Sequence, residues 1–367
     1  MRWARGAAQG TARGTARRAR TTAVTGLGLA AVLVLASCSS PAPMPRVEEP
    51  VVVPPTIEAA KAAAPAPVIP VTWPLTGVAG EPAARPALAV KIENTAVARP
   101  QAGLDQADVV WETIVEFDVS RFVAVFHSQV PGEVGPIRSV RPMDPLIVAP
   151  LHGLLAYSGG QPGILEEVAA SGVQSLSHDR GVGGMYRVSG RSAPHNVYGN
   201  PQVFWDQMDG EHQAAPQEQF DFARSLERAS AVTGGTPAGT LAFRLSAASS
   251  PSWTWDGSAW LRSEGSNPAT AASGARLSAT NVVAITADHP DTGYGAQGGA
   301  AVPTYSLVGS GDAVVATGGK TLAARWQKDA PDAPLRLVTA EGASVTLAPG
   351  NTWVELVPAG KGSLTVS

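Results

Sequence analysis

Residues 108–128 have the sequence DVVWETIVEFDVSRFVAVFHS, two apolar runs joined by a short connection. The runs at 108–116 and 121–128 are rich in β-branched and aromatic residues, which strands favour. The connection from Phe117 to Ser120 is short enough to join neighbouring antiparallel strands. This stretch therefore predicts a β-hairpin.

Further strands and helices are predicted on both sides of this hairpin. Their mixed order, a hairpin among helices, indicates an α/β or α+β domain. We place this N-terminal domain at residues 73–215 and expect a layered α/β sandwich. The additional predicted strands lie at 86–93 and 153–158, and the predicted helices at 142–152, 162–171 and 201–208.

The second half of the folded chain is expected to be mostly β. Residues 216–231, PQEQFDFARSLERASA, carry apolar side chains at helical spacing and predict an amphipathic helix within a helical connector at 216–239. Short apolar runs separated by glycine-containing turns follow, so we predict a smaller, mostly-β domain at 240–367. Its predicted strands lie at 240–245, 252–256, 259–263, 277–287, 303–308, 312–317, 321–327, 335–339, 344–348 and 352–358.

The first 38 residues have the features of a bacterial export signal that ends in lipidation. Six arginines and no acidic residue occupy positions 1–20, an apolar run extends from Ala23 to Ala36, and Cys38 follows directly after Leu-Ala-Ser. We therefore expect a signal peptide at 1–37. Acyl chains on Cys38 would anchor the protein to the cell membrane on its extracytoplasmic face. An ordinary signal peptide with a chance cysteine is the alternative.

Residues 38–72 are predicted to form a tether between this lipidated cysteine and the folded part. The segment is rich in proline and alanine, a composition that favours extended polyproline conformations and cannot bury a core. Its expected role is to hold the folded part away from the membrane.

Charge and cysteine content exclude several classes of function. Loss of the six arginines before Cys38 would change the net charge from −3 to −9, so nucleic acid is not an expected partner. Because Cys38 is the sole cysteine, a cysteine-rich zinc site, an iron–sulfur cluster and a thiol nucleophile are excluded. The six histidines lack the spacing of metal ligands, and we expect neither a metal nor a cofactor.

Specific motifs are distributed through the predicted folded region. They include WPLTG at 73–77, VKIEN at 90–94, RPQAGL at 99–104, GPIRSVRP at 135–142, RSAPHNVY at 191–198 and PGNTW at 349–353. On these motifs the chain resembles the YerB-like lipoproteins, a bacterial family whose biochemical activity is not established. The resemblance extends from about residue 73 to residue 358. It implies a lipid-anchored envelope protein with a layered α/β first domain and a smaller β domain, and it supplies no reaction.

Three polar motifs are the candidates for ligand binding. Arginine offers a planar fork that suits carboxylate or phosphate, and small residues at a strand-to-helix turn let backbone N–H groups approach an anion. We predict a polar pocket for an anionic cell-wall ligand, in a binding or scaffold protein. For each motif, local ion pairs, a tight turn or a polar loop is the alternative. The residues are Arg138, Ser139, Arg141, Ser158, Gly159, Gly160, Arg191, His195 and Asn196.

Two other functions stay open. The first is an envelope hydrolase or transferase, in which Glu112 or Asp108 acts as acid or base with His195 while arginines stabilise an oxyanion. The second is an adaptor for an envelope protein, which an exposed apolar patch around Trp253 or Trp260 would favour.

Glu116, four residues after Glu112, is a second carboxylate of the hairpin. We expect it to form a structural ion pair with Arg121 across the hairpin, as oppositely charged residues on adjacent strands do.

Overall fold

Many short strands and few helices make up the part of the chain that the structure describes. We use a computed structural model of the protein, which describes residues 70–367. The expected signal peptide, Cys38 and the tether up to residue 69 lie outside the described residues.

The strands are β1 (Leu88–Glu93), β2 (Val109–Ile114), β3 (Ser120–Phe126), β4 (Leu154–Tyr157), β5 (Gln174–Ser177), β6 (Met185–Arg187), β7 (Val197–Gly199), β8 (Thr236–Pro237), β9 (Thr240–Arg244), β10 (Pro251–Trp255), β11 (Trp260–Glu264), β12 (Asn267–Pro268), β13 (Ser278–Ala279), β14 (Asn281–Ala287), β15 (Asp291–Gly295), β16 (Ala301–Pro303), β17 (Gly309–Thr317), β18 (Lys320–Lys328), β19 (Arg336–Val338), β20 (Thr352–Pro358) and β21 (Ser363–Val366). The α-helices are α1 (Asp144–Val148), α2 (Pro162–Ala170), α3 (Pro201–Trp205) and α4 (Ser230–Gly234). Short 3-10 helices lie at Ala96–Ala98, Leu104–Gln106, Glu116–Asp118, Ala149–Leu151, His178–Arg180, Leu226–Arg228 and Gln297–Gly299.

One mixed sheet contains strands from both halves of the folded chain. Its order is β19-β18-β17-β14-β20-β2-β3-β1-β4-β5, and β8 pairs with β18. The predicted hairpin is confirmed as the antiparallel pair β2 and β3. Strand β20 pairs in parallel with both β2 and β14, so a strand from near the C-terminus lies beside the hairpin. The predicted mixed α+β class is confirmed.

A second sheet is formed by the strands that follow the connector. Its order is β12-β11-β10-β9-β21, with β13 paired to β11. The pairs β15 with β16 and β6 with β7 form two small ribbons.

The strands at the centre of the large sheet are fully buried. Every residue of β1, β2, β3 and β20 is buried, in keeping with the near-continuous apolar runs that gave the strand predictions. These strands nevertheless contain charged residues, which must be paired to be tolerated there. The charged residues are Lys91, Glu93, Glu112, Arg121 and Glu355.

The predicted amphipathic helix at 216–231 is wrong. Only the 3-10 turn Leu226–Arg228 and the short helix α4 are helical in this stretch. Residues before them are extended, because Ala223 N donates to Leu347 O and Leu347 N donates to Asp221 O, each at 2.8 Å. Pairing with a distant segment therefore overrides the local helical spacing.

Two predicted strands and one helix end are also corrected. Strand β16 ends at Pro303, so most of 303–308 is not strand, and residues 344–348 make only isolated bridges. Helix α3 begins after Asn200, whose side chain accepts from the N–H groups of Gln202 and Val203, but it ends at Trp205 rather than at residue 208. Among the described residues, no helix is both long and apolar enough to span a membrane.

Candidate functional site

Strand alternation divides the buried charges between the two faces of the large sheet. Glu93 and Thr113 each lie opposite Arg121 in the pairings with β3, so these three side chains share one face. Glu112 lies opposite Phe122 and faces the other side. The first face carries a polar cleft, and the second carries a buried cluster of charges.

We call the polar cleft on the first face the arginine cleft. Its volume is about 540 Å³. Four guanidinium groups and one imidazole face three carboxylates around it, so positive charge is in excess when a ligand is absent. Its lining includes Glu93, Glu116, Phe117, Arg121, Arg138, Ser139, Arg141, Ser158, Gly160, Asp179, Arg187 and His195.

Glu116 fixes two of the four arginines. Its Oε1 lies 3.1 Å from Arg121 Nη2, and its Oε2 accepts from Arg141 Nε at 2.5 Å, while Arg141 Nη2 also contacts Oε1. Burial alone would raise the pKa of Glu116, but the hydrogen bond from Arg141 and both guanidinium charges lower that pKa to about 2. The expected pair across the hairpin is confirmed, and Arg141 joins it.

A buried ion pair between Lys91 and Asp144 supports the arrangement of Glu116 and its two arginines. Lys91 Nζ lies 2.6 Å from Asp144 Oδ1 and donates to Thr113 Oγ1 at 3.1 Å. Asp144 Oδ2 also accepts from the backbone N–H of Arg141 at 2.7 Å, so the pair positions Arg141. Burial lowers the pKa of Lys91 to about 8, although the charge of Asp144 opposes that shift.

Glu93 orients the cleft histidine. His195 Nδ1 lies 2.9 Å from both carboxylate oxygens of Glu93, whose side chain is only 1% exposed. Thr95 Oγ1 donates to the same carboxylate at 2.8 Å. A neutral His195 therefore carries its proton on Nδ1. Its Nε2 makes no hydrogen bond within residues 70–367 and is the nitrogen available to a ligand.

Arg138 has a hydrogen-bond donor that the described residues leave unused. Its Nη1 donates to Pro194 O at 3.1 Å, and its Nε lies 3.6 Å from Glu93 Oε2. That Nε is buried and has no hydrogen-bond partner among the described residues. Arg138 Nη2 makes no hydrogen bond within residues 70–367 and is not among the buried atoms, so it is the donor that a ligand in the cleft can reach.

Backbone pairing brings two of the predicted motifs together. Ser158 N donates to Arg138 O at 3.0 Å, and Val140 N donates to Gly159 O at 2.9 Å. As a result Ser139 Oγ and Ser158 Oγ are 3.3 Å apart at the cleft wall. Gly159 lies within this turn, where a Cβ atom would come within 2.1 Å of Asp179 Oδ2.

Three predicted binding residues, Gly159, Arg191 and Asn196, do not line the arginine cleft, which corrects their assignment. Arg191 donates to the carbonyl groups of Val97 and Pro100, at 2.6 and 3.1 Å. Asn196 accepts from Arg187 Nη1 at 2.7 Å and donates to Arg191 O at 3.2 Å. Both side chains hold the loop that presents His195.

The carboxylates considered as partners of His195 lie elsewhere, which corrects that pairing. Glu112 is fully buried on the opposite face, with its Oε2 2.6 Å from Arg262 Nη2. Asp108 accepts from the N–H groups of His127 and Ser128, at 2.6 and 2.8 Å. The carboxylate beside His195 is Glu93.

Sequence reasoning missed Glu93, although a signal was present. Lys91 and Glu93 alternate with apolar residues in the run LAVKIE, so two charged side chains occupy one face of a strand that is otherwise apolar. Burial of charge at that spacing requires partners and marks the face as a site.

The tryptophans considered as an exposed patch belong to the core. Trp253 and Trp260 are both fully buried, and Trp253 Nε1 donates to Glu355 at 2.9 Å. Within residues 70–367, no group of three or more histidine, cysteine or acidic side chains is placed to hold a metal ion.

Comparison with known proteins identifies related chains. Residues 75–214 match the family described as "Protein of unknown function (DUF3048) N-terminal domain", and residues 241–354 match its C-terminal domain. The chain is 36% identical over 130 residues to a Bacillus subtilis protein named "Putative lipoprotein YerB", an alignment that covers 34% of this chain and 39% of that protein. The crystal structure of the YerB protein from Bacillus subtilis matches with a TM-score of 0.67 and 22% identity, over 80% of this chain and 99% of that chain.

Proposed function

The chain belongs to the DUF3048 family of proteins of unknown function, and from that premise we propose that it is a membrane-anchored envelope lipoprotein that binds an oxyanion in the arginine cleft. The ligand group is a carboxylate or a phosphate carried by a component of the cell envelope. Arginine forks bind both groups through paired N–H donors.

The observation that carries this proposal is that Arg138 lines the cleft while its Nη2 makes no hydrogen bond within residues 70–367. The Arg138 side chain is 18% exposed, so an oxyanion reaching it from the cleft would be largely shielded from water. The free Nε2 of His195 and the hydroxyl groups of Ser139 and Ser158 are further polar groups on the same wall. Arg121 and Arg141 are already paired with Glu116. They would therefore attract an anion through their positive charge more than through new hydrogen bonds.

The membrane anchor rests on different observations. The name of the Bacillus subtilis relative describes a lipoprotein, and Cys38 of this chain follows a basic segment, an apolar run and Leu-Ala-Ser. Acyl chains on that cysteine would provide the anchor, and the proline-rich segment to residue 72 would carry the cleft away from the bilayer.

Acid–base catalysis is a second candidate function of the same cleft. The observation that favours it is the Glu93–His195 pair, in which a buried carboxylate orients the imidazole and leaves Nε2 free. That arrangement suits a general base, and a water molecule or a hydroxyl group of the ligand would be the group that loses the proton.

Calorimetric titration with inorganic phosphate and with acetate tests the oxyanion site. We expect Arg138→Gln to weaken binding of the preferred anion at least tenfold. Arg325→Gln, which changes an exposed arginine outside the cleft, is the matched control and should bind as the unaltered protein does. Absence of anion binding, or equal binding by Arg138→Gln, would contradict the proposal.

A further inference from the structure

The tip of the β2–β3 hairpin carries an exposed aromatic ring on an unfavourable backbone. Phe117 has φ 63° and ψ 24°, and Asp118 follows with φ 59°. Tight hairpin turns with two consecutive left-handed residues favour glycine and asparagine, because a bulky side chain is strained there. Phe117 is also 62% exposed, so burial does not compensate for the strain. Neither the backbone conformation nor burial of the ring accounts for phenylalanine at this position.

Phe117 lies at the rim of the proposed oxyanion site. It lines the arginine cleft, and it also lines a neighbouring cleft of about 280 Å³ that Arg244 and His289 border. Among the described residues that line either cleft, it is the sole phenylalanine, tyrosine or tryptophan. It directly follows Glu116, the residue that fixes Arg121 and Arg141. A ligand that extends from the cleft towards the hairpin tip would therefore meet this ring.

We propose that Phe117 stacks against the ring of a sugar that carries the oxyanion, so that the ligand class of the cleft is a phosphorylated sugar. This inference rests on the proposed oxyanion site and adds the part of the ligand that the arginines do not contact. Strain and exposure are retained at Phe117 because the ring serves the ligand, as is common for strained residues at binding sites.

The surroundings of Phe117 favour a pyranose over a planar base. A pyranose offers a face of C–H groups to one aromatic plane, and its hydroxyl groups need polar partners around the edge. The cleft supplies one aromatic plane, and Asp179 contributes a carboxylate whose side chain is 68% exposed. A bound base is commonly stacked between aromatic or apolar side chains on both of its faces, and the described lining of the two clefts supplies one such ring.

Comparison of two ligands by calorimetry tests the inference. The probes are inorganic phosphate and glucose 1-phosphate, with glucose as a neutral control. We expect the unaltered protein to bind glucose 1-phosphate at least tenfold more tightly than phosphate. Phe117→Gly should reduce that ratio to about one, and Phe117→Trp should keep it. Val130→Gly, which removes an exposed apolar side chain outside both clefts, is the matched control and should keep the ratio.

Each outcome separates this inference from the proposed function. Glycine suits a positive φ, so the melting temperature of Phe117→Gly should not fall below that of the unaltered protein, and a loss of preference cannot come from unfolding. An unchanged ratio in Phe117→Gly, or equal affinities of the unaltered protein for both ligands, overturns the role of Phe117 and leaves the oxyanion site standing. Failure of phosphate and glucose 1-phosphate alike to bind, while acetate binds, overturns the phosphorylated sugar as the ligand class and leaves the oxyanion site standing. Failure of all three overturns the oxyanion site itself.

Discussion

Glu112 of β2 and Glu355 of β20 lie directly opposite each other in parallel pairing, and both accept hydrogen bonds from Arg262. The distances are 2.6 Å from Arg262 Nη2 to Glu112 Oε2 and 2.7 Å from Nη1 to Glu355 Oε1. Glu264 accepts from the same guanidinium at 2.8 Å and pairs with Arg99 at 3.0 Å. We call these five residues the Arg262 cluster. It joins strands of the large sheet to β11 of the second sheet.

A neutral Glu355 would balance the charge of the Arg262 cluster. Burial and the neighbouring Glu112 raise the pKa of Glu355 well above its usual range. With Glu355 neutral, two guanidinium groups face two carboxylates. A neutral carboxyl also avoids placing two adjacent negative charges in the core.

Removal of the central arginine is expected to destabilise the protein strongly. Arg262→Met would leave Glu112 and Glu264 without their shared partner, and loss of one member of a buried ion pair costs about 3–5 kcal/mol. Urea denaturation would measure this free energy of unfolding. Glu355→Gln, which keeps the shape and the neutral state, should change it by less than about 1 kcal/mol. Equal losses in both variants would show that Glu355 is ionised in the folded protein.

Acid is expected to weaken the fold through Glu116. Its pKa falls from an ordinary value of 4.5 to about 2 in the folded state, so the unfolded state binds the proton first as the pH drops. The stabilisation is complete above about pH 4.5 and is lost progressively towards pH 2, about 3 kcal/mol in all. Melting temperatures between pH 2 and 5 should therefore fall less steeply for Glu116→Gln. Glu81→Gln, at an exposed position, is the control and should keep the original slope.

The Lys91–Asp144 pair gives a prediction in which a second substitution rescues the first. Lys91→Met would leave a fully buried carboxylate without its cation and should cost about 3–5 kcal/mol of unfolding free energy. Adding Asp144→Leu removes that carboxylate and should recover part of the loss. Denaturation of both variants measures the difference. A double variant less stable than Lys91→Met would contradict the view that unpaired charge is the cause.

Lipidation of Cys38 is tested by the distribution of the protein in cells. The full chain is expected in the membrane fraction and in the detergent-rich phase after phase separation, because two acyl chains give lasting anchorage. Cys38→Ser should move it to the aqueous phase. Equal partition of the two proteins would argue that the cysteine follows an ordinary signal peptide by chance.

The sequence predicts the strands of the large sheet better than it predicts which strands lie side by side. The runs that became β1, β2 and β3 are dense in strand-forming residues, and their local pattern suffices. The insertion of β20 beside β2 depends on a contact between segments more than two hundred residues apart, which no local spacing reveals. The helix expected at 216–231 failed for the same reason, since residues 221–223 pair with Leu347.

The candidate site shows the same division between local and distant information. Charged and small residues in three motifs predicted the cleft, and Arg138, Ser158 and His195 line it together. The partner of His195 was missed because Glu93 lies 102 positions away along the chain. Sequence reasoning gives Glu112 a catalytic role because its partner Arg262 is 150 positions away along the chain.

The position of a bound anion tests the central claim most directly. Tungstate resembles phosphate in shape and charge and gives strong anomalous scattering, so a crystal of the protein soaked in tungstate would locate it without ambiguity. We expect an anion in the arginine cleft, within hydrogen-bond distance of Arg138 Nη2 and next to His195. Tungstate bound only elsewhere on the surface, with none against Arg138, would contradict the oxyanion site.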